Sequence, residues 1–147
     1  MDSASVLRQA PPLRLSLGSK ARLAAEILST YARARGLVRR ADLPRALSTL
    51  RRPVSAGHDL PLPDGARDGQ RLGAAVVRTL EALPLDSRCL MRSLVLVALL
   101  ARRGVHGSLV IAVRPSEAQL DAHAWVELEG RPLLAPADHE HGRLVTL

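Results

Sequence analysis

Cys89-Leu90-Met91-Arg92-Ser93-Leu94-Val95-Leu96-Val97-Ala98-Leu99-Leu100-Ala101-Arg102-Arg103-Gly104 is the stretch on which the reading of this chain turns. Its middle, Leu94 to Leu100, is apolar on nearly every face, which marks a helix buried all round rather than one lying on a surface. Asp86 or Ser87 can cap it, Arg102 and Arg103 suit the negative end of its dipole, and Gly104 suits its stop. A helix is therefore expected over Arg88–Arg103. The apolar run from Leu94 to Ala101 is the longest in the chain and falls far short of the roughly 18 residues that cross a bilayer, so no membrane span is expected.

Downstream the periodicity changes. Ser108 to Val113 is a β-branched run that reads as a strand, and Pro115 turns the chain. Ala122 to Glu129 alternates as a second strand. His123, Trp125, Glu127 and Glu129 take one face, and Ala124, Val126 and Leu128 the other. Glu129-Gly130-Arg131 is a tight reversal, after which Pro132 to Ala135 returns as a third strand. One buried helix followed by antiparallel hairpins is an α+β arrangement.

Upstream the chain reads as helical. Residues 1–18 carry Pro11, Pro12 and Gly18 and start irregular. Ser19 can cap a helix running to about Arg35 and closed by Gly36, with Leu23, Ile27 and Tyr31 four apart and Ala24 and Leu28 widening the stripe. Asp42 is a good N-cap for a second helix with Pro44 in its first turn, carrying Leu43, Leu47 and Leu50 and stopping before Pro53. Residues 53–69, with Pro53, Gly57, Pro61, Pro63, Gly65 and Gly69, read as a linker or long surface loop. A third helix is expected from Gln70 to Leu83, with Leu72, Val76, Leu80 and Leu83 inward and Pro84 ending it. The expected division is a basic helical extension with its linker over 1–69 and a core over 70–147.

Composition sharpens this. Of 147 residues, 28 are Leu and 22 Ala, there is no Phe, and Tyr31 and Trp125 are the sole Tyr and Trp. The net charge of +7 is unevenly placed. Residues 8–52 hold ten Arg and Lys20 against Glu26 and Asp42, a net of +9, while the remaining segments are each close to neutral. The single cysteine, Cys89, excludes an intramolecular disulfide framework and any all-cysteine metal site, and fits a reducing compartment. Arg8 and Arg14 interrupt anything like a secretory h-region, so a cytoplasmic location is expected.

Cys89 falls in the first turn of the buried helix, where unpaired N–H groups and the positive end of the dipole lie. Thiolate, the nucleophilic form, is favoured there, and Arg88 and Arg92 push the same way; the N–H groups of that turn can also hold an oxyanion. His123 opens the second strand. The expected helix is about 24 Å long, and the first strand, about 20 Å, can bring the chain back to its N-terminus. A cysteine nucleophile needs a base and usually a third group that orients the base. Glu127 and Glu129 share the strand of His123 but lie too far along it, so Asp138, after the return strand, is the better candidate. Asp138-His139-Glu140-His141 matches no standard zinc spacing, and no metal or other cofactor is expected.

Taken together, Cys89 to Gly104, Leu109 to Arg114, Ala122-His123-Ala124-Trp125-Val126-Glu127 and Gly130-Arg131 resemble the core of the lasso-peptide leader peptidases over residues 70–135. That family is papain-related and transglutaminase-like. The resemblance implies a nucleophile helix packed on a small antiparallel sheet, with Cys89 as nucleophile and His123 as general base. It places an aspartate about twelve residues beyond the histidine, where this chain has Ala135, leaving Asp138 as the acid on offer. It also implies a precursor peptide as substrate, a lactam synthetase that closes the ring, and a separate leader-binding protein, because residues 1–69 show no winged-helix pattern. The basic helices are then a docking surface for such a partner or for an acidic leader. Other readings are an acyltransferase or amidase using the same dyad, and an inactive module binding peptide or, less in keeping with the sequence, nucleic acid.

Overall fold

The computed structural model describes residues 16–52, 65–84, 89–115, 120–134 and 142–147. Among them are four helices, α1 (Leu17–Arg40), α2 (Leu43–Arg51), α3 (Gly65–Glu81) and α4 (Cys89–Arg102), and four strands, β1 (Ser108–Pro115), β2 (Leu120–Leu128), β3 (Arg131–Pro132) and β4 (Gly142–Thr146). The strands form one antiparallel sheet in the order β3-β2-β1-β4. The chain is α+β, with α4 at the centre of the helical layer.

α4 is buried as its composition requires: Met91 and every residue from Ser93 to Leu100 are out of solvent. It packs against α1, α2 and α3 and lies chiefly over β2. Ile27, Tyr31 and Ala34 of α1, Leu47 and Leu50 of α2, and Leu72, Val76 and Leu80 of α3 join it in one hydrophobic cluster with Leu109, Ala124 and Val126 of the sheet. Glu26 of α1 fastens this layer at the C-terminal end of α4. Its carboxylate accepts two hydrogen bonds from the Arg103 guanidinium, at 3.1 and 3.0 Å, and lies 3.6 Å from Arg102 Nε. A two-pronged arginine–carboxylate pair fixes orientation as well as distance.

Several boundaries differ from the sequence expectation. α1 does not stop at Gly36 but runs to Arg40. A glycine inside a helix costs about 1 kcal/mol relative to alanine, too little to end one whose continuation packs Leu37 against the core. The cap is Ser16, not Ser19; Ser16 accepts from the Ser19 N–H. Asp42 caps α2 as expected, taking the Arg45 N–H at 3.0 Å. α3 starts five residues earlier than expected and ends at Glu81, so Leu83 falls in the following turn and is exposed rather than inward. Asp86 and Ser87 lie outside the described residues.

Glycine geometry explains two close approaches. A Cβ on Gly73 would lie 3.1 Å from the Leu133 carbonyl oxygen, so α3 and the chain after β3 meet backbone to backbone there. A Cβ on Gly107 would lie 2.9 Å from both Leu100 Cδ1 and Val126 Cγ1, which puts the start of β1 between α4 and β2. The β2–β3 reversal is a two-residue turn with Glu129 at φ 52° and Gly130 at φ 76°. Paired positive φ values are what a tight hairpin of twisted strands needs. They also remove Glu129 from β2, where the alternation had placed it.

β4 is the element the sequence did not suggest. It pairs with the outer edge of β1, and Leu147 continues the ladder by exchanging two 2.7 Å hydrogen bonds with Leu109. The end of α2 is tied to the same place: Arg51 Nη2 donates to the Gly107 carbonyl at 2.8 Å and to the Leu147 main-chain oxygen at 2.9 Å. Burial pushes the Arg51 guanidinium below its ordinary value, because desolvation disfavours the charged form.

Candidate active site

Cys89 is the first residue of α4 and is half-buried, packed against the main core. Its carbonyl accepts, at 2.8 Å, the hydroxyl of the fully buried Ser93 one turn on. This bond stiffens the turn that carries the thiol. The N–H groups of that first turn have no acceptor within the helix. Arg92 donates to Glu81 Oε1 at 3.1 Å, linking the start of α4 to the end of α3. Its charge is thus shared with a carboxylate instead of being directed to the thiol alone. Among the described residues the thiol makes no hydrogen bond.

His123 is half-buried in β2, opposite Ala112 of β1. The chain reverses after α4, so β1 runs back along the helix and β2 lies beside it. Gly107 fixes Val126 level with Leu100. From there the helix covers about 16 Å to Cys89 at 1.5 Å per residue, and β2 covers about 10 Å to His123 at 3.4 Å per residue. Ala124 still belongs to the core shared with α4, so strand and helix run together, and both residues lie toward the same end of the layer. Their faces differ. Ala124 and Val126 point to α4, whereas Trp125 packs with Val110 and Ala112 on the other side of the sheet. By alternation His123 and Glu127 share the face of Trp125.

On that face sits a pair whose role the sequence did not reveal. Trp125 Nε1 donates to Glu127 Oε1 at 3.0 Å, and both residues are buried. Glu127 had been set aside as an acid because of its distance along the strand; the structure gives its carboxylate to the indole next to His123. The signal in the sequence was a carboxylate two residues from a tryptophan on one strand face. Asp138, with the acidic and histidine string it opens, lies outside the described residues. Among the described residues no group of histidine, cysteine and acidic side chains is arranged to hold a metal ion.

Residues 7–145 match the family model described as the transglutaminase-like superfamily. The chain belongs to the transglutaminase-like superfamily. No curated protein and no solved structure matches it. The superfamily match reaches across α1 and α2 as well as the sheet, and it supports a fold of the cysteine peptidase and acyltransferase kind. No helix among the described residues is long and apolar enough to cross a membrane.

Proposed function

We propose that this transglutaminase-like chain is a cysteine peptidase that removes the leader from a ribosomally made lasso-peptide precursor, with Cys89 as nucleophile, His123 as general base and Asp138 as the group that orients the histidine. The observation that carries this reading is the position of Cys89 at the half-buried head of an otherwise buried helix, at the same end of the layer as His123. Alternation puts the imidazole on the Trp125 face of β2 and the thiol on the α4 side. In this reading the imidazole reaches the thiol around the edge of β2, which β3 pairs only at Glu127 and Leu128, and the catalytic hydrogen bond closes when substrate binds.

The chemistry is acyl transfer in two halves. The thiol proton passes to His123 as Sγ bonds to the carbonyl carbon at the leader–core junction. N–H groups of the first turn of α4 hold the resulting oxyanion. The C–N bond breaks as His123 returns the proton to the departing amine, which is the N-terminus of the core peptide. Water then attacks the thioester with His123 taking its proton. The S–C bond breaks, the proton returns to sulfur, and the leader leaves with a free carboxylate. Trp125, held by Glu127, walls the histidine. A separate leader-binding protein presents the precursor, and a lactam synthetase takes the core; the reaction needs no cofactor.

The test is cleavage of a cognate precursor supplied with its leader-binding partner, read by mass spectrometry. Wild-type chain is expected to release leader and core with hydrolytic masses, and Cys89→Ala none. Full activity in Cys89→Ala overturns the proposal. The superfamily match equally supports transfer to an amine, and a product joined to an added amine instead of water identifies that activity.

A further inference from the structure

We infer that the groove on α1 beside the first turn of α4 is an exosite for an acidic peptide segment carrying apolar side chains. The inference rests on the peptide-substrate reading above and extends it to how the substrate is held. The larger part of the groove, about 490 Å³, follows Leu28, Tyr31, Ala32, Arg35, Gly36 and Arg39, one continuous stripe of the helix. The smaller part, about 160 Å³, shares Tyr31, Arg35 and Arg39 and reaches Val38 and Met91. Both parts are open to solvent, a surface groove and not an enclosed cavity. Met91 stands two residues from Cys89, so the groove ends at the turn that carries the nucleophile.

Three features point to an acidic occupant. Arg39 is exposed and has no hydrogen-bond or ion-pair partner among the described residues, and Arg35 donates only to the Tyr31 hydroxyl, at 3.0 Å. No acidic residue occurs between Glu26 and Asp42 to answer them. Arg33 and Arg103, by contrast, are engaged, Arg33 by the Thr49 carbonyl and Arg103 by Glu26. The rest of the lining is largely apolar, with Leu28 and Ala32 in the larger part and the exposed Val38 in the smaller. Gly36 is the third feature. It sits inside a helix where alanine would be more stable by about 0.5–1 kcal/mol, a Cβ there would meet nothing within 4 Å, and its φ is not positive. Neither packing nor backbone conformation calls for glycine, but the groove between Arg35 and Arg39 does: the missing side chain is space for a ligand. A nucleic acid fits less well, because Tyr31 is buried and presents no face for base stacking.

The test uses the full chain carrying Cys89→Ala, so that binding is read without cleavage, and a fluorescein-labelled peptide of sequence ELEELE in an anisotropy titration. Binding is expected. It is expected to weaken at least tenfold in the Arg35→Ala, Arg39→Ala double variant and in Gly36→Leu, while Gly36→Ala melts at or above the parent temperature. The matching KLKKLK peptide is expected not to bind. Equal binding by the double variant overturns the exosite, as does tighter binding of a 12-nucleotide single strand through the same arginines. Failure of the peptidase reading is separately visible: a chain that binds ELEELE but never cleaves a precursor keeps the exosite and loses the catalysis. A chain that cleaves with KM unchanged by the double variant loses the exosite and keeps the catalysis.

Discussion

The Trp125–Glu127 pair offers a sharp test of how the histidine-bearing face is built. The indole N–H and the carboxylate are 3.0 Å apart, and both residues are buried, Glu127 at 9 % exposure and Trp125 at 6 %. Glu127→Met keeps the side-chain bulk but removes the acceptor and leaves a buried N–H unpaired. A hydrogen bond to a charged group contributes about 1.5–3 kcal/mol and an orphaned buried donor costs about 1–3 kcal/mol, so a net loss of about 2–3 kcal/mol is expected. For a chain of this length that corresponds to roughly 6–10 °C in Tm. Trp125→Phe removes the donor instead. Because each single variant breaks the same bond, the double variant should be less damaged than the sum, with a coupling of about 1–2 kcal/mol. Urea denaturation of the four proteins measures it. A coupling below about 0.3 kcal/mol would refute the claim that this bond positions the indole. If Trp125 walls His123, Glu127→Met also lowers kcat on a precursor, and Glu127→Gln, which keeps an acceptor oxygen, restores most of it.

Other consequences are simpler to state. Gly107→Ala places a methyl 2.9 Å from two buried side chains, Leu100 and Val126, and overpacking of this kind costs about 1–3 kcal/mol; chemical denaturation reads the loss. Glu26→Ala leaves the largely buried Arg103 guanidinium without its carboxylate and is expected to lower stability by about 2 kcal/mol, whereas Glu26→Gln loses less. Asp138→Ala is expected to reduce the cleavage rate by tenfold or more with little change in Tm, as measured by initial rates and thermal melts; an unchanged rate assigns the orienting role to another acid.

What the sequence made legible followed from periodicity strong enough to outvote local exceptions. The run from Leu94 to Leu100 marked a buried helix, and the alternation separated Ala124, Val126 and Leu128 from His123 and Trp125, but which of the two faces meets α4 was decided by the packing. Asp42 identified the start of α2 because its side chain answers an N–H that nothing else can. Single residues misled where tertiary contacts decided the outcome. Gly36 looked like a helix end, but the packing of Leu37 carries α1 past it. β4 escaped notice because Gly142–Thr146 is short, and it becomes a strand by completing the free edge of β1. At the site, Cys89 on a helix and His123 on a strand were legible from periodicity; the orientation of His123 to the face away from α4 was not. The partnership of Trp125 with Glu127 was not, since two residues on one strand face leave open which neighbour a carboxylate will serve.

The central claim is that Cys89 performs the chemistry, and its being the single cysteine makes one measurement direct. The chain is titrated with a peptidyl chloromethyl ketone bearing the last residues of the leader, and the fraction of Cys89 alkylated, from intact mass, is plotted against residual precursor cleavage. Activity is expected to fall in proportion and reach zero at one equivalent of adduct on Cys89. Cleavage that persists when Cys89 is fully modified would contradict the account.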